Sequence, residues 1–141
     1  MNKKAKISIL LNIIIPLVLG GLIYYCYSPN VIFVQKIDAL LGFAHHPFQL
    51  SVDAMPVKII RNYLLDALWG YSLIFTIFLI IGNKTANENL VGLVGAVFAG
   101  LMELLQLTPL MNGTFDIMDI FVELVAIFIA VFIIKILRRD S

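Results

Sequence analysis

At 141 residues the chain has room for one helical bundle rather than two domains. It is 61% hydrophobic and 13% charged, with mean hydropathy +0.99, which excludes an ordinary soluble globular domain and fits a polytopic membrane protein. A net charge of +1 lacks the concentrated basic surface a nucleic-acid partner requires, and the single cysteine, Cys26, allows neither an internal disulfide nor a paired Cys/His metal spacing, leaving it a packing or interfacial role.

Four apolar segments are long enough to span: Ile7 to Tyr27, Leu64 to Ile81, Leu90 to Leu110 and Ile117 to Leu137. A bilayer core asks for about 20 helical residues and leaves no water to satisfy an open backbone, so each is expected to be a helix. The expected fold is all-α, a four-transmembrane-helix bundle with a short interfacial helix in the first outer loop.

The first segment follows Lys3, Lys4 and Lys6 in the manner of a signal peptide. Its apolar run is longer than the usual signal core, and the exit Tyr24-Tyr25-Cys26-Tyr27 has no small-residue cleavage pattern, so a retained helix is the better reading. The three tyrosines fit an aromatic anchor at headgroup level, while Pro16 and Gly20-Gly21 allow a bend or a close helix approach. In the loop Ser28 to Asn62, the stretch Val31 to Phe43 fits a short surface helix with Gln35, Lys36 and Asp38 toward water, or a cap on the bundle. His45-His46-Pro47 reads as a turn rather than a metal site.

Topology follows from the basic residues. With both termini cytoplasmic, that side holds Lys3, Lys4, Lys6, Lys84, Lys135, Arg138 and Arg139, against Lys36, Lys58 and Arg61 outside, the distribution the positive-inside rule favours.

Pro56 suits an early helical position, so the second helix is free to begin outside the hydrocarbon and carry Arg61, Asn62 and Asp66 inward. Asn62, Asp66 and Trp69 share a face by their spacing. For Asp66 a structural contact and a functional polar cavity are both open, whereas Trp69 and Tyr71 read as lipid or core packing. The connection Gly82 to Asn89 leads into a third helix whose Gly92, Ala96 and Gly100 form a small-residue stripe suited to close packing.

Chemistry concentrates in Leu101-Met102-Glu103-Leu104-Leu105-Gln106 and, after the Pro109 to Thr114 turn, in Phe115-Asp116-Ile117-Met118-Asp119-Ile120-Phe121-Val122-Glu123. Ionisable groups at membrane depth normally face a bundle interior or polar cavity. Asp116 fits an N-cap; Asp119 and Glu123, four residues apart, can face one neighbour. Like carboxylates in one dry site need a proton, a cation or Arg61 to offset them. The spacing specifies no metal, and no cofactor is expected. The candidate polar cavity therefore comprises Arg61, Asn62, Asp66, Glu103, Gln106, Asp119 and Glu123, converging on the outer side with Arg61 at the rim.

Over Arg61 to Val131 these features resemble the VanZ-like family of small bacterial membrane proteins: the polar start of the second helix, Glu103-x-x-Gln106, and Phe115-Asp116-x-x-Asp119 opening the last. The family pattern has an arginine in the preceding turn, where this chain reads Asn112-Gly113-Thr114, an asparagine at the place of Glu123 and a glycine near Ala126. The resemblance implies a multi-pass protein of the bacterial plasma membrane with a cell-envelope role, glycopeptide (teicoplanin) resistance being that of the namesake. From the residues, three functional classes stand: an accessory protein recognising membrane lipids or a lipid-linked envelope component, a small transporter or proton relay, and an intramembrane acid/base enzyme using Glu103, Asp119 or Glu123. The chain has no G-x-S-x-G, no H-E-x-x-H and no evident nucleophile-histidine pair.

Overall fold

The computed structural model describes residues 3–28, 32–43, 55–81, 87–108 and 115–139, with the side chains of residues 33, 56, 60 and 61 outside that description. The described elements are all helical: α1 (Lys3–Tyr27), α2 (Ile32–Leu41), α3 (Met55–Ile59), a π-helical turn (Ile60–Leu64), α4 (Leu65–Ile81), α5 (Glu88–Gln106) and α6 (Ile117–Arg139). Four helical stretches, Lys3–Tyr27, Val57–Ile81, Glu88–Gln106 and Ile117–Arg139, are long and apolar enough to cross a membrane. Even the shortest, at 19 residues, reaches about 28 Å, close to a hydrocarbon core of about 30 Å.

Local chemistry sets the helix ends. Asn87 caps α5, its side chain accepting from the Asn89 amide at 3.0 Å, and Asp116 does the same for α6 by accepting from Met118 N at 2.9 Å. Arg138 and Arg139 lie in the last turn of α6, where cations complement the helix dipole. Between the opposed ends of α5 and α6, Arg138 forms an ion pair with Glu88. α2 stops at Gly42, whose φ of +76° is left-handed. Phe43 N donates to Asp38 O at 2.9 Å and Gly42 N to Ala39 O at 3.3 Å, a Schellman ending that uses the carbonyls the helix leaves open.

α4 is the central helix. It packs most extensively against α1 and α6, and α5 lies across both α6 and α4. Ile9, Ile74, Phe75, Phe78, Val91, Ala99, Ile127, Ala130 and Ile134 form the buried core. Tyr71 donates to the Asn12 side chain, joining α4 to α1 by a hydrogen bond inside the bundle. Ile80, Phe121, Phe128 and Phe132 are exposed on the outside of the bundle, an apolar surface compatible with a lipid surround.

Several boundaries and faces differ from those expected. α1 begins at Lys3 and therefore includes the lysines, because lysine is a good helix former and can keep its ammonium at the interface. α5 ends at Gln106, four residues before the expected Leu110. The close approach of α5 is at Gly95, where an added Cβ would lie 2.1 Å from Ile74 Cδ1, while Gly100 faces open space; of the expected stripe only Gly92, beside Val131, and the partly buried Ala96 pack. On α2, Asp38 faces inward at 7% exposure and accepts from the Tyr25 hydroxyl, while Leu40 is 87% exposed. A carboxylate with a phenol donor can be buried where a lone one cannot. The expected turns at His45-His46-Pro47 and Pro109 to Thr114 lie outside the described residues.

Candidate functional site

Three helices bring acids to the same end of the bundle. α4 carries Asp66 just after the π-helical turn, which also contains Asn62; π-turns widen the helix and recur at functional sites. α5 carries Glu103 and Gln106 in its last turn, and α6 contributes Asp119 and Glu123, with Asp116 at its cap. Along the helix axes Glu103 is about 5 Å from the end of α5, while Asp119 and Glu123 are about 3 and 9 Å from the start of α6.

Glu103 is the most deeply held of these groups, at 5% exposure. Gln106 Nε2 donates to its Oε1 at 2.7 Å, the contact expected of residues three apart on one helix face. Its second oxygen, Oε2, is buried without a hydrogen-bond partner, and Asp119 Oδ1 and Glu123 Oε2 are in the same condition. Asp66 and Asp119 lie within hydrogen-bonding reach of one another, and Asp66, Glu103 and Glu123 are electrostatic neighbours. Where α6 crosses α4, Gly70 opens the space: a Cβ there would lie 3.5 Å from both the Cα and the carbonyl oxygen of Glu123. One helical turn beyond Asp66, the α4 face is thus bare backbone, and Glu123 occupies the gap.

Two clefts meet at Asp66, Glu103 and Gln106. The first, about 380 Å³, is polar and lined by Tyr24, Ser28, Asn62, Leu65, Asp66, Glu103, Gln106, Asp116 and Asp119. The second, about 400 Å³, runs between α4 and α5 along an apolar wall of Trp69, Leu73, Phe98, Ala99 and Met102, with Glu123 beside the shared acids. Among the described residues no lysine or arginine lines either cleft. Trp69 is 63% exposed at the flank of this groove, so its indole stands toward the surroundings rather than in the core.

Of the seven candidate residues, Asn62, Asp66, Glu103, Gln106 and Asp119 line the first cleft and Glu123 lines the second. Arg61 belongs to the π-helical turn, but its side chain lies outside the described residues. Tyr24 and Ser28, which line the polar cleft, did not figure among the candidates. Their four-residue spacing at the end of α1 places them on one face, a signal hidden among the neighbouring tyrosines that read as a headgroup anchor. Asn12 was also missed; a lone amide in an apolar run needs a partner, and Tyr71 supplies it.

Chemically, this is an acid-rich polar basin that also presents the hydroxyl and amide groups of Tyr24, Ser28, Asn62 and Gln106, with an apolar outlet. Among the described residues no group of three or more His, Cys, Asp or Glu is arranged to hold a metal ion. A scan against protein-family models gives no match, and comparisons with curated proteins and with solved structures find none either.

Proposed function

We propose that the protein recognises the polar headgroup of a membrane lipid or lipid-linked envelope component and does not convert it chemically. The observation that carries this reading is the union of the two clefts: buried, unpartnered carboxylate oxygens at one end of the bundle open onto an apolar groove between α4 and α5. An amphipathic molecule needs both surfaces, a polar set that fixes orientation and an apolar wall that holds the tail. The wall also argues against a site for a small polar solute alone.

The setting we infer is a bacterial plasma membrane with both termini cytoplasmic, which puts the basin at the outer leaflet. The distribution of basic residues supports it: Lys3, Lys4, Lys6, Lys84, Lys135, Arg138 and Arg139 on one side, Lys36, Lys58 and Arg61 on the other. The resemblance of Glu103-x-x-Gln106 and Phe115-Asp116-x-x-Asp119 to the VanZ-like pattern supports a cell-envelope accessory role, with glycopeptide resistance as its extension. Proton relay or small-solute transport is the second reading, and the proximity of Asp66 and Asp119 favours it, since neighbouring carboxyls can pass a proton between them. An acid/base enzyme would use the same carboxyls, but it requires a reacting bond for which the chain offers no nucleophile motif.

The test is incubation of the purified protein in lipid nanodiscs with an extracted envelope-lipid pool, followed by mass spectrometry of retained lipids and of products. Selective retention, weakened in Glu103→Gln and without a new product, is the expected result. Turnover lost in Glu103→Gln would replace the binding reading with catalysis. Absence of retention, together with substrate-dependent movement across proteoliposomes, would replace it with transport.

A further inference from the structure

We propose that the headgroup taken by this basin carries a primary ammonium, and that its lipid enters sideways with a tail against the α4–α5 groove. The inference rests on the lipid-binding reading above and names the chemistry of the ligand.

Charge and hydrogen-bond capacity both point this way. Glu103 is about nineteen-twentieths buried, yet its Oε2 has no donor, although Gln106 satisfies the other oxygen at 2.7 Å. Asp119 Oδ1 and Glu123 Oε2 are likewise buried acceptors without donors. A buried acceptor left unpaired carries the desolvation penalty of the group, so an occupant that donates is strongly favoured over one that accepts. An ammonium has three donors, no acceptor and a compensating charge, which complements the three orphaned carboxylate oxygens. A phosphate or carboxylate placed here would face Asp66, Glu103 and Asp119 with no lysine or arginine among the described lining residues. A quaternary ammonium would carry the charge but none of the N–H donors, and a sugar would bring donors without the charge.

The tail follows from the shape of the second cleft. Glu103, Gln106 and Asp66 belong to both clefts, so the acceptor basin is continuous with the wall formed by Trp69, Leu73, Phe98 and Met102. Phe98 and Trp69 are exposed on the bundle's flank, the side from which a lipid in the bilayer can arrive without leaving the membrane. Gly70 matters here too: with no side chain of its own, it lets the Glu123 backbone pack directly on α4 and brings that acid to the groove.

The experiment uses the full-length protein in detergent micelles, mixed with phosphatidylethanolamine, phosphatidylcholine and phosphatidylglycerol of identical acyl chains, and reads bound lipid by native mass spectrometry. Phosphatidylethanolamine should be retained about tenfold over phosphatidylglycerol and severalfold over phosphatidylcholine, a tenfold preference corresponding to about 1.4 kcal/mol. Glu103→Gln, which keeps the side-chain shape, should abolish that preference, whereas Glu88→Gln at the opposite end should leave it intact; circular dichroism and gel filtration of both variants confirm that they fold. Retention of phosphatidylglycerol equal to or above that of phosphatidylethanolamine overturns the ammonium assignment while leaving lipid recognition standing. Equal retention of phosphatidylcholine overturns the requirement for N–H donors. Free ethanolamine displacing the lipid at equal concentration would overturn the role of the tail groove, and retention of none of the lipids would overturn both this inference and the function on which it rests.

Discussion

Replacing Gly95 by alanine should destabilise the bundle even though alanine is the better helix former. The added Cβ would stand 2.1 Å from Ile74 Cδ1, 3.5 Å from Ile74 Cγ1 and 3.9 Å from Ile127 Cδ1. Ile74 is fully buried, so its terminal methyl has no open space to turn into and must displace other core side chains. Overpacking of this kind costs about 1–3 kcal/mol, against a helix-propensity gain of about 1 kcal/mol, for a net loss near 1 kcal/mol. In a membrane this packing term carries more weight than it would in water, because lipid tails are as apolar as the side chains and transfer contributes little. The clashing atom also identifies the rescue. Ile74→Val removes Cδ1 at a cost of about 0.5–1.5 kcal/mol alone, and in the Gly95→Ala background it should cost nothing further, a favourable coupling of about 1 kcal/mol. Gly100→Ala, on the same helix but facing open space, should be neutral or slightly stabilising. Reversible unfolding in mixed micelles with increasing dodecyl sulfate, followed by the fluorescence of the single tryptophan, Trp69, measures all four proteins. Strict additivity of the two substitutions, or a Gly95→Ala protein as stable as Gly100→Ala, would refute the packing argument.

Glu103→Leu should leave stability unchanged or raise it by about 1–2 kcal/mol, since a well-packed apolar residue often outperforms a buried charge, while lipid retention in the native mass spectrum is lost; a destabilised protein would mean that the carboxylate is structural. Tyr71→Phe should cost about 0.5–1.5 kcal/mol in the same unfolding assay, and the double variant with Asn12→Ala should cost less than the sum of the two singles because they share one hydrogen bond, Asn12 also donating to Ser8 O; full additivity would count against the shared bond. In a Cys26→Ser background, a cysteine replacing His45 should be labelled from outside intact cells, and one replacing Lys84 only after permeabilisation; the reverse pattern would invert the proposed topology.

The number and type of the long helices were legible because a run of about 20 apolar residues has few physical interpretations. The acids were legible for the same reason: Asp66, Glu103, Asp119 and Glu123 interrupt hydrocarbon, and an interruption of that kind needs an environment. Which face meets which neighbour was less legible. Spacing alone favours the four-residue rhythm of Gly92, Ala96 and Gly100; Gly92 and Ala96 do pack, but Gly100 faces open space and the tightest approach is at Gly95, against Ile74. The charge of Asp38 points it toward water, whereas the Tyr25 hydroxyl, thirteen residues away in the chain, donates to it in the buried position it takes. The spacing of Tyr24 and Ser28 puts them on one face but does not say that this face meets the acids, since that depends on how α1 packs.

The two ends of the bundle handle charge in opposite ways, and the contrast bears on why the acids are there. At one end Glu88 of α5 meets Arg138 of α6, so the acid has its counter-charge within the chain, in a partly exposed pair that ties two helix ends together. At the other end three carboxylate oxygens are buried without donors, and among the described residues no lysine or arginine lines the clefts they share. A cluster that held the helices together would be expected to look like the first end, with each acid matched. Mutually repelling, half-satisfied acids instead lower the stability of the bundle that contains them, and leucine at these positions would pack without that penalty. Among the described residues these oxygens have no counter-charge, and the donor we propose for them is a ligand. A donor-bearing cation that arrives by way of the apolar groove satisfies the orphaned oxygens, offsets the repulsion and uses the wall of Trp69, Leu73, Phe98 and Met102, which no intrachain ion pair would need.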